Sequence, residues 1–353
     1  MAIGIIAAEP LIWKRLEHWV DQRTEAATMS GLSEADVRRV LDGATAIIDQ
    51  IERVIVGKRA VIERVVIAML CEGHVLIEDV PGVGKTVLAR SLAHALGGSF
   101  QRIQFTPDLL PSDVTGALVF DPRTAEFTFR PGPIVANVVL ADEINRAGPR
   151  TQAALLEAME ERQLTVDRER TPLPRPFVVL ATQNPLEMDG TFPLPEAQLD
   201  RFFLRTEIGY PAEDDELAML RRFRFDRPDA ALGPVTTPDD LIELALLVRR
   251  ARISEAVERY LLALIRGTRE QEQIAMGASP RAALALARGA QATALLNGRD
   301  YVLPDDVKAM AVPVLAHRIM PAAQFGLRGL SNDRLIDAVV DQTPAPVEPD
   351  ARI

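Results

Sequence analysis

The chain has a single cysteine, Cys71, in 353 residues, so it can close no internal disulfide and build no cysteine-based metal site. Histidine is nearly as scarce: His18, His74, His94 and His317 are scattered without metal-ligand spacing and read as packing or surface residues. No run of about 18 apolar residues occurs, so no transmembrane helix is expected. The opening Met1–Ala8 has only a short apolar run with no basic residue ahead of it, which argues against a secretory signal and for the cytoplasm. Excess positive charge is also missing. The formal net charge is -10, a poor basis for non-specific binding to nucleic acid or to an anionic membrane. What remains is ordinary for a globular chain, with 48% hydrophobic and 25% charged residues. The length exceeds one usual core and implies two domains.

The informative segment is Asp79-Val80-Pro81-Gly82-Val83-Gly84-Lys85-Thr86, directly after the apolar run Val75-Leu76-Ile77. The run has the length of a buried strand. Val87 to Leu96 places Leu88, Leu92 and Leu96 on one face of a helix. Between strand and helix, Gly82 and Gly84 let the backbone approach a phosphate chain, and the helix N-terminus adds partial positive charge. Lys85 can reach the outer phosphates and Thr86 can offer a hydroxyl to Mg²⁺. The general pattern has glycine where this chain has Asp79.

Strand and helix signals then alternate. Strands are expected at Phe100–Phe105, Val138–Ala141, Phe177–Ala181 and Phe202–Ile208, and a helix at Thr151–Arg162. Residues 117–129 and 163–175 carry hairpin signals. Ahead of the first strand, Ser33 starts a pair of helices at about 34–54 and 58–72, split near Val56-Gly57. Such alternation implies a mostly parallel sheet. From Pro211 the strand signal stops, and helical spacing runs through about 213–224, 238–251, 254–272, 280–296 and 304–317. The end from Thr343 is rich in proline and acids and is expected to be disordered. Residues 1–30 read as a packed helix, a partner-binding element, or an extension upstream of a start at Met29.

Acidic and amide residues follow the central strands. Asp142-Glu143 comes straight after Val138–Ala141, where a parallel sheet presents its carboxyl ends to a ligand. Alone, the pair is an ordinary polar strand end. With Lys85-Thr86 upstream, Asp142 is suited to hold Mg²⁺ and Glu143 to polarise an attacking water. Asn184, after the strand ending at Ala181, can orient that water. Arg201 lies just before the fifth strand. Arg281 lies one residue beyond Pro280, with Ser279 as N-cap, so it projects from a helix start in a direction suited to an anion.

Taken in order, Glu78–Thr86, Leu140–Ala147, Leu155–Glu161, Ala181–Pro185 and Pro195–Phe202, with Asp108–Asp113 between, resemble the AAA+ ATPases and within them the MoxR family. The likeness spans about residues 33–320, and Asp79 suits that family. It implies an α/β fold: an AAA+ P-loop NTPase core, a parallel five-stranded sheet with helices on both faces, followed by an all-α lid domain. The divisions implied are 1–30 (N-terminal extension), 31–210 (nucleotide-binding domain), 211–330 (lid) and 331–353 (tail). Residues 116–130 resemble the helix-2 insert and 163–175 the hairpin before sensor 1, elements that face a ring's pore or a substrate.

Site residues carry over one by one. Pro81, Gly82, Val83, Gly84, Lys85, Thr86 and Val87 resemble Walker A, and Asp142 and Glu143 Walker B. Asn184 resembles sensor 1, Arg201 the arginine finger acting on a neighbour's nucleotide, and Arg281 sensor 2, with cis or trans action left open. Val56 and Gly57 resemble the segment bordering adenine. The resemblance implies ATP and Mg²⁺ (on Thr86 and Asp142), a homo-oligomer, expected as a hexameric ring, and a chaperone-like action on a client protein with a von Willebrand A domain partner. A metal-chelatase motor subunit and a nucleic-acid-remodelling ring are the competing readings. Arg162, Arg168, Arg170 and Arg175 give the latter some footing, while acidic net charge and the lack of stacking aromatics around them count against it.

Overall fold

A computed structural model of the chain describes residues 31–166, 169–184, 190–224, 232–326 and 331–346. The expectations for residues 1–30 and for 347–353 lie outside the described residues. Helix α1 (Glu34–Glu52) starts at a capping box: the Ser33 hydroxyl accepts from the Asp36 N–H at 3.1 Å, and the Asp36 carboxylate accepts from the Ser33 N–H at 3.0 Å. Its Val40, Ala44, Ile47 and Ile51 recur at helical spacing and are fully buried. Helix α2 (Arg59–Leu70) buries Ile62, Val65, Val66, Ala68 and Met69.

The sheet follows with β1 (Val75–Glu78), helix α3 (Lys85–Ala95) and β2 (Phe100–Gln104). Helix α4 (Pro111–Thr115) leads into the hairpin β3 (Gly116–Asp121) and β4 (Glu126–Pro131). Then come β5 (Val138–Asp142), helix α5 (Pro149–Glu161), the second hairpin β6 (Gln163–Val166) and β7 (Glu169–Pro172), β8 (Val178–Gln183), the short helix α6 (Glu196–Leu199) and β9 (Leu204–Thr206). The five-stranded sheet has the order β2-β5-β8-β1-β9 with parallel pairing throughout. Successive residues alternate between its faces. Val75, Ile77, Val138, Leu140, Val178 and Leu180 join one apolar cluster, and Leu76, Val139, Ala141, Val179 and Ala181 join the other. Both hairpins fall where the alternation and turn residues put them.

Helices α7 (Glu213–Arg222), α8 (Pro238–Val248), α9 (Glu255–Glu270), α10 (Pro280–Leu296) and α11 (Pro304–Leu315) match the expected helical spans. Three expectations need correction. The fifth strand, expected over Phe202–Ile208, is confined to Leu204–Thr206. The carbonyls of Phe202 and Phe203 accept from the buried Arg318 guanidinium at 2.6 and 3.2 Å, and the N–H groups of Ile208 and Gly209 go to the Asp79 carboxylate, so both ends are drawn out of the ladder. The region after Pro211 is not free of strands: β10 (Ile274–Met276) pairs antiparallel with β11 (Met320–Pro321). The tail does not begin at 331. Helix α12 (Asn332–Gln342) is capped by Ser331 and buries Leu335, Ile336 and Val339, and the proline- and acid-rich end had diluted that pattern in the sequence. Helices α8 to α12 share one apolar cluster with α1 and α2 as well as with the sheet face, while α7 buries no residue. Among the described residues, no helix is long and apolar enough to cross a membrane.

Candidate nucleotide site

The loop from Asp79 to Gly84 turns the chain from β1 into α3. Gly82 and Gly84 sit at φ +86° and +94°, backbone conformations that a side chain strains, although a Cβ on Gly82 would meet nothing within 4 Å. Gly84 is the N-cap of α3 and, being glycine, supplies no side-chain acceptor, so the first N–H groups of the helix face the loop's interior. The Lys85 Nζ donates to the Asp79 carbonyl at 2.8 Å.

Sheet order brings the remaining groups to the same edge. β8 lies between β1 and β5, with Glu78 opposite Gln183 and Ala141 opposite Ala181. The strand ends therefore put Asn184 beside the loop and Asp142-Glu143 one strand further on. A cavity of about 350 Å³ results, lined by Pro81, Gly82, Gly84, Lys85, Thr86, Val87, Arg102, Asp142, Glu143 and Asn184. Lys85, Thr86, Asp142, Glu143 and Asn184, chosen from separate stretches of sequence, thus meet in one place. Val83 packs against the core instead of lining the cavity. Val56 and Gly57 do not line it either, but Ile55 next to them would lie 3.9 Å from a Cβ on Gly84, so their segment adjoins the loop. Gly57, at φ +71°, leaves room for the Asp215 carboxylate of α7, which a Cβ would meet at 2.0 Å.

Three polar residues escaped the sequence reading. Arg102 lies on β2 and donates to Asp142 Oδ2 from Nη2 at 2.6 Å and from Nε at 3.1 Å. Gln104, two residues on and paired in register with Asp142, donates to Glu143 Oε2 at 2.8 Å. Thr182, fully buried, donates to Asp142 Oδ1 at 2.7 Å and accepts from the Glu143 N–H at 2.8 Å. Their one sequence signal is positional: polar residues at 102 and 104 point to one side of a strand, and Thr182 is the first polar residue after the apolar run Val178–Ala181. Glu143 holds a left-handed backbone at φ +57°, strained for a non-glycine residue, and Arg146 Nη1 donates to its Oε2 at 3.0 Å.

Thr86 and Asp142 offer a hydroxyl and a carboxylate in the same cavity, hard oxygen donors of the kind Mg²⁺ takes from protein when phosphates and water supply the rest. The donor set fits that ion, with Arg102 holding the Asp142 carboxylate in its place.

Arg201 and Arg281 lie elsewhere. Ser279 caps α10 as expected, accepting from the Ala282 N–H at 3.2 Å, and Pro280 opens the helix. Arg201 donates to the Leu156 carbonyl at 2.7 Å and pairs with Glu160 Oε2 at 3.1 Å, while Arg281 pairs with Glu160 Oε1 at 3.0 Å. Both line a second cavity of about 270 Å³ that shares no residue with the first. Arg162, Arg288 and Arg318 line it too. Burial pulls the Arg318 guanidinium down to about 10 against the attraction of Asp200, whose Oδ1 lies 2.9 Å from its Nε. Burial pushes the Glu72 carboxyl upward, but Arg162, Arg175 and Arg249 outweigh it and the net shift is down.

A glycine-lined loop at a helix start, a lysine, and two acids and an amide at the tips of neighbouring parallel strands define a P-loop nucleotide-binding protein. The comparisons agree. Residues 74–204 match the family described as "ATPase family associated with various cellular activities (AAA)", and residues 266–338 match the AAA lid domain. The chain is 46% identical to YeaC of Bacillus subtilis over 301 residues, covering 85% of this chain and 94% of that protein. It is 39% identical to Chaperone MoxR1 of Mycobacterium tuberculosis over 306 residues, covering 84% and 81%. A solved chain from Cytophaga hutchinsonii, assigned as an ATPase, superposes with a TM-score of 0.83 at 37% identity, covering 89% of this chain and 98% of that one. The chain belongs to the MoxR family of AAA+ ATPases.

Proposed function

We propose that the chain hydrolyses ATP in an oligomeric ring and uses the energy to remodel or activate a client protein, with a von Willebrand A domain protein as partner. The observation that carries the reading is the division of the machinery between two cavities. One holds the phosphate loop, Asp142, Glu143 and Asn184, and the other holds Arg201 and Arg281 on a single carboxylate. A copy that presented its arginine cavity to its neighbour's phosphate loop would complete the set, with both arginines acting in trans.

In that reading the N–H groups of residues 82–86 and the Lys85 ammonium hold the phosphate chain. Thr86 and Asp142 would hold Mg²⁺, which when bound neutralises charge on the outer phosphates. Asn184 orients a water and Glu143 takes its proton as the water oxygen bonds to the γ-phosphorus. The bond to the bridging oxygen breaks, and ADP and phosphate leave. The tie from Gln104 to Glu143 holds the base aside until the water is in place. Val56 and Gly57 border the adenine. The β3–β4 hairpin is assigned to the client side. Its Phe120 and Phe127 are 50% and 67% exposed with ring centroids 5.3 Å apart, apolar surface suited to a polypeptide. The reading puts the protein in the cytoplasm and gives it no nucleic-acid substrate.

The test is Glu143→Gln. It should leave ATP bound and stop turnover, hold the oligomer together, and retain client and partner through a pull-down that wild type releases. Turnover at the wild-type rate would remove Glu143 from the chemistry, and a chain monomeric with ATP bound would remove the ring.

A further inference from the structure

Asp79 stands where the general phosphate-loop pattern has glycine, and it is 7% exposed. Its carboxylate reaches in two directions. Oδ1 accepts from the Val80 N–H at 2.8 Å, inside the loop. Oδ2 accepts from the N–H groups of Ile208 and Gly209 at 2.6 and 2.7 Å, in the turn between β9 and α7. Gly209 is at φ +66°, so the two successive N–H groups form a small concave anion cradle, filled by the chain's own carboxylate. The backbone of Asp79 adds two more ties. Its N–H donates to the Gln183 carbonyl at 3.1 Å, one residue before Asn184, and its carbonyl is where Lys85 rests. The turn itself is tied onward, because Lys58 Nζ, next to Val56-Gly57, donates to the Tyr210 carbonyl at 2.8 Å.

We propose that Asp79 is a positioning residue that couples the phosphate loop to the turn leading into the helices beyond residue 210. The inference rests on the ATPase reading above. A Lys85 that turns to a phosphate releases the Asp79 carbonyl. The peptide between Asp79 and Val80 is then free to reorient, and the carboxylate carries Ile208 and Gly209 with it. Glycine at this position can still wrap a phosphate chain. It would leave the N–H of Ile208, a residue only 5% exposed, without its acceptor and would cut the link.

The experiment has two arms. In wild type, hydrogen exchange at the Ile208 and Gly209 amides is followed with and without Mg–ATP, and the protection should change on binding. In Asp79→Gly and Asp79→Asn, ATP affinity, turnover and the same exchange are measured. Asp79→Gly should keep ATP affinity within about threefold, lose about tenfold or more in kcat, and show exchange at the turn that no longer responds to nucleotide. Asp79→Asn, which keeps one carbonyl acceptor, should fall between. The proposal is overturned if wild-type exchange at the turn ignores nucleotide, if Asp79→Gly turns over like wild type, or if it loses affinity and kcat alike. Wild type that binds no ATP would overturn the ATPase reading itself, and the affinity measurement reveals that separately.

Discussion

The phosphate-loop cavity and the arginine-lined cavity are built on opposite plans. The phosphate-loop cavity is assembled from the tips of adjacent strands, and its acids, Asp142 and Glu143, share it with Lys85 and Arg102. The second cavity is assembled across the fold, from α5, the segment before β9 and the start of α10, and its five arginines outnumber its three carboxylates. That surplus of positive charge suits an incoming phosphate, whereas the first cavity already has its own lysine for one. Under the proposed function, the difference teaches that one copy of the chain would carry the phosphate-binding groups and, separately, the arginines that act on a neighbour's phosphate.

The strongest way to break this comparison is Arg201→Ala. Hydrolysis should fall by about a thousandfold with ATP affinity preserved. Mixing it with Glu143→Gln chains should restore part of the turnover, because each supplies the cavity the other lacks. An affinity loss that tracks the rate loss, or no recovery in the mixture, would merge the two cavities into one function. A smaller effect is expected inside the first cavity from Thr182→Val, which keeps shape and removes the hydroxyl joining Asp142 to the Glu143 N–H. Turnover should fall by about ten- to a hundredfold while the fold stays intact, by analogy with second-layer partners of catalytic ligands. Steady-state kinetics beside a melting curve separates this from unfolding, and an unchanged kcat would strip Thr182 of the role.

The smallest effect concerns the second cavity and pH. His74 lines it and is buried. Its Nδ1 accepts from the Val179 N–H at 3.0 Å, and its Nε2 lies 3.1 Å from the Met159 carbonyl. Burial first, then the Arg162 charge, pulls the imidazole down to about 4 from 6.5. A lowered folded-state value means the unfolded chain binds more protons between those limits, so stability is full above about 6.5 and declines as pH falls towards about 4. Between pH 7 and pH 5.5 the loss should be about 1 kcal/mol, read as a drop in unfolding free energy, and His74→Gln should remove that part of the slope. A slope unaffected by the substitution would show that other groups carry it.

Much of this was legible before any fold was known. Gly82, Gly84, Lys85 and Thr86 form a local pattern whose chemistry is set by backbone φ and by one adjacent helix. Asp142 and Asn184 were legible because each follows an apolar strand, and parallel strands deliver their ends to one edge. Arg102 and Gln104 were not, because their meaning depends on β2 lying next to β5, a neighbour far away in sequence. Helix α12 was lost in the composition of the tail, although Leu335, Ile336 and Val339 keep helical spacing.

Sequence by itself determined most of the elements and the phosphate loop, since strand period, helix spacing and glycine conformation are short-range properties. Only the tertiary structure decided that Glu160 gathers Arg201 and Arg281 away from the loop, that Arg318 holds the carbonyls before β9, and that Asp79 reaches Ile208 and Gly209. Those are long-range partnerships of charged and polar groups. Which partner a buried carboxylate or guanidinium finds is set by packing across the whole fold.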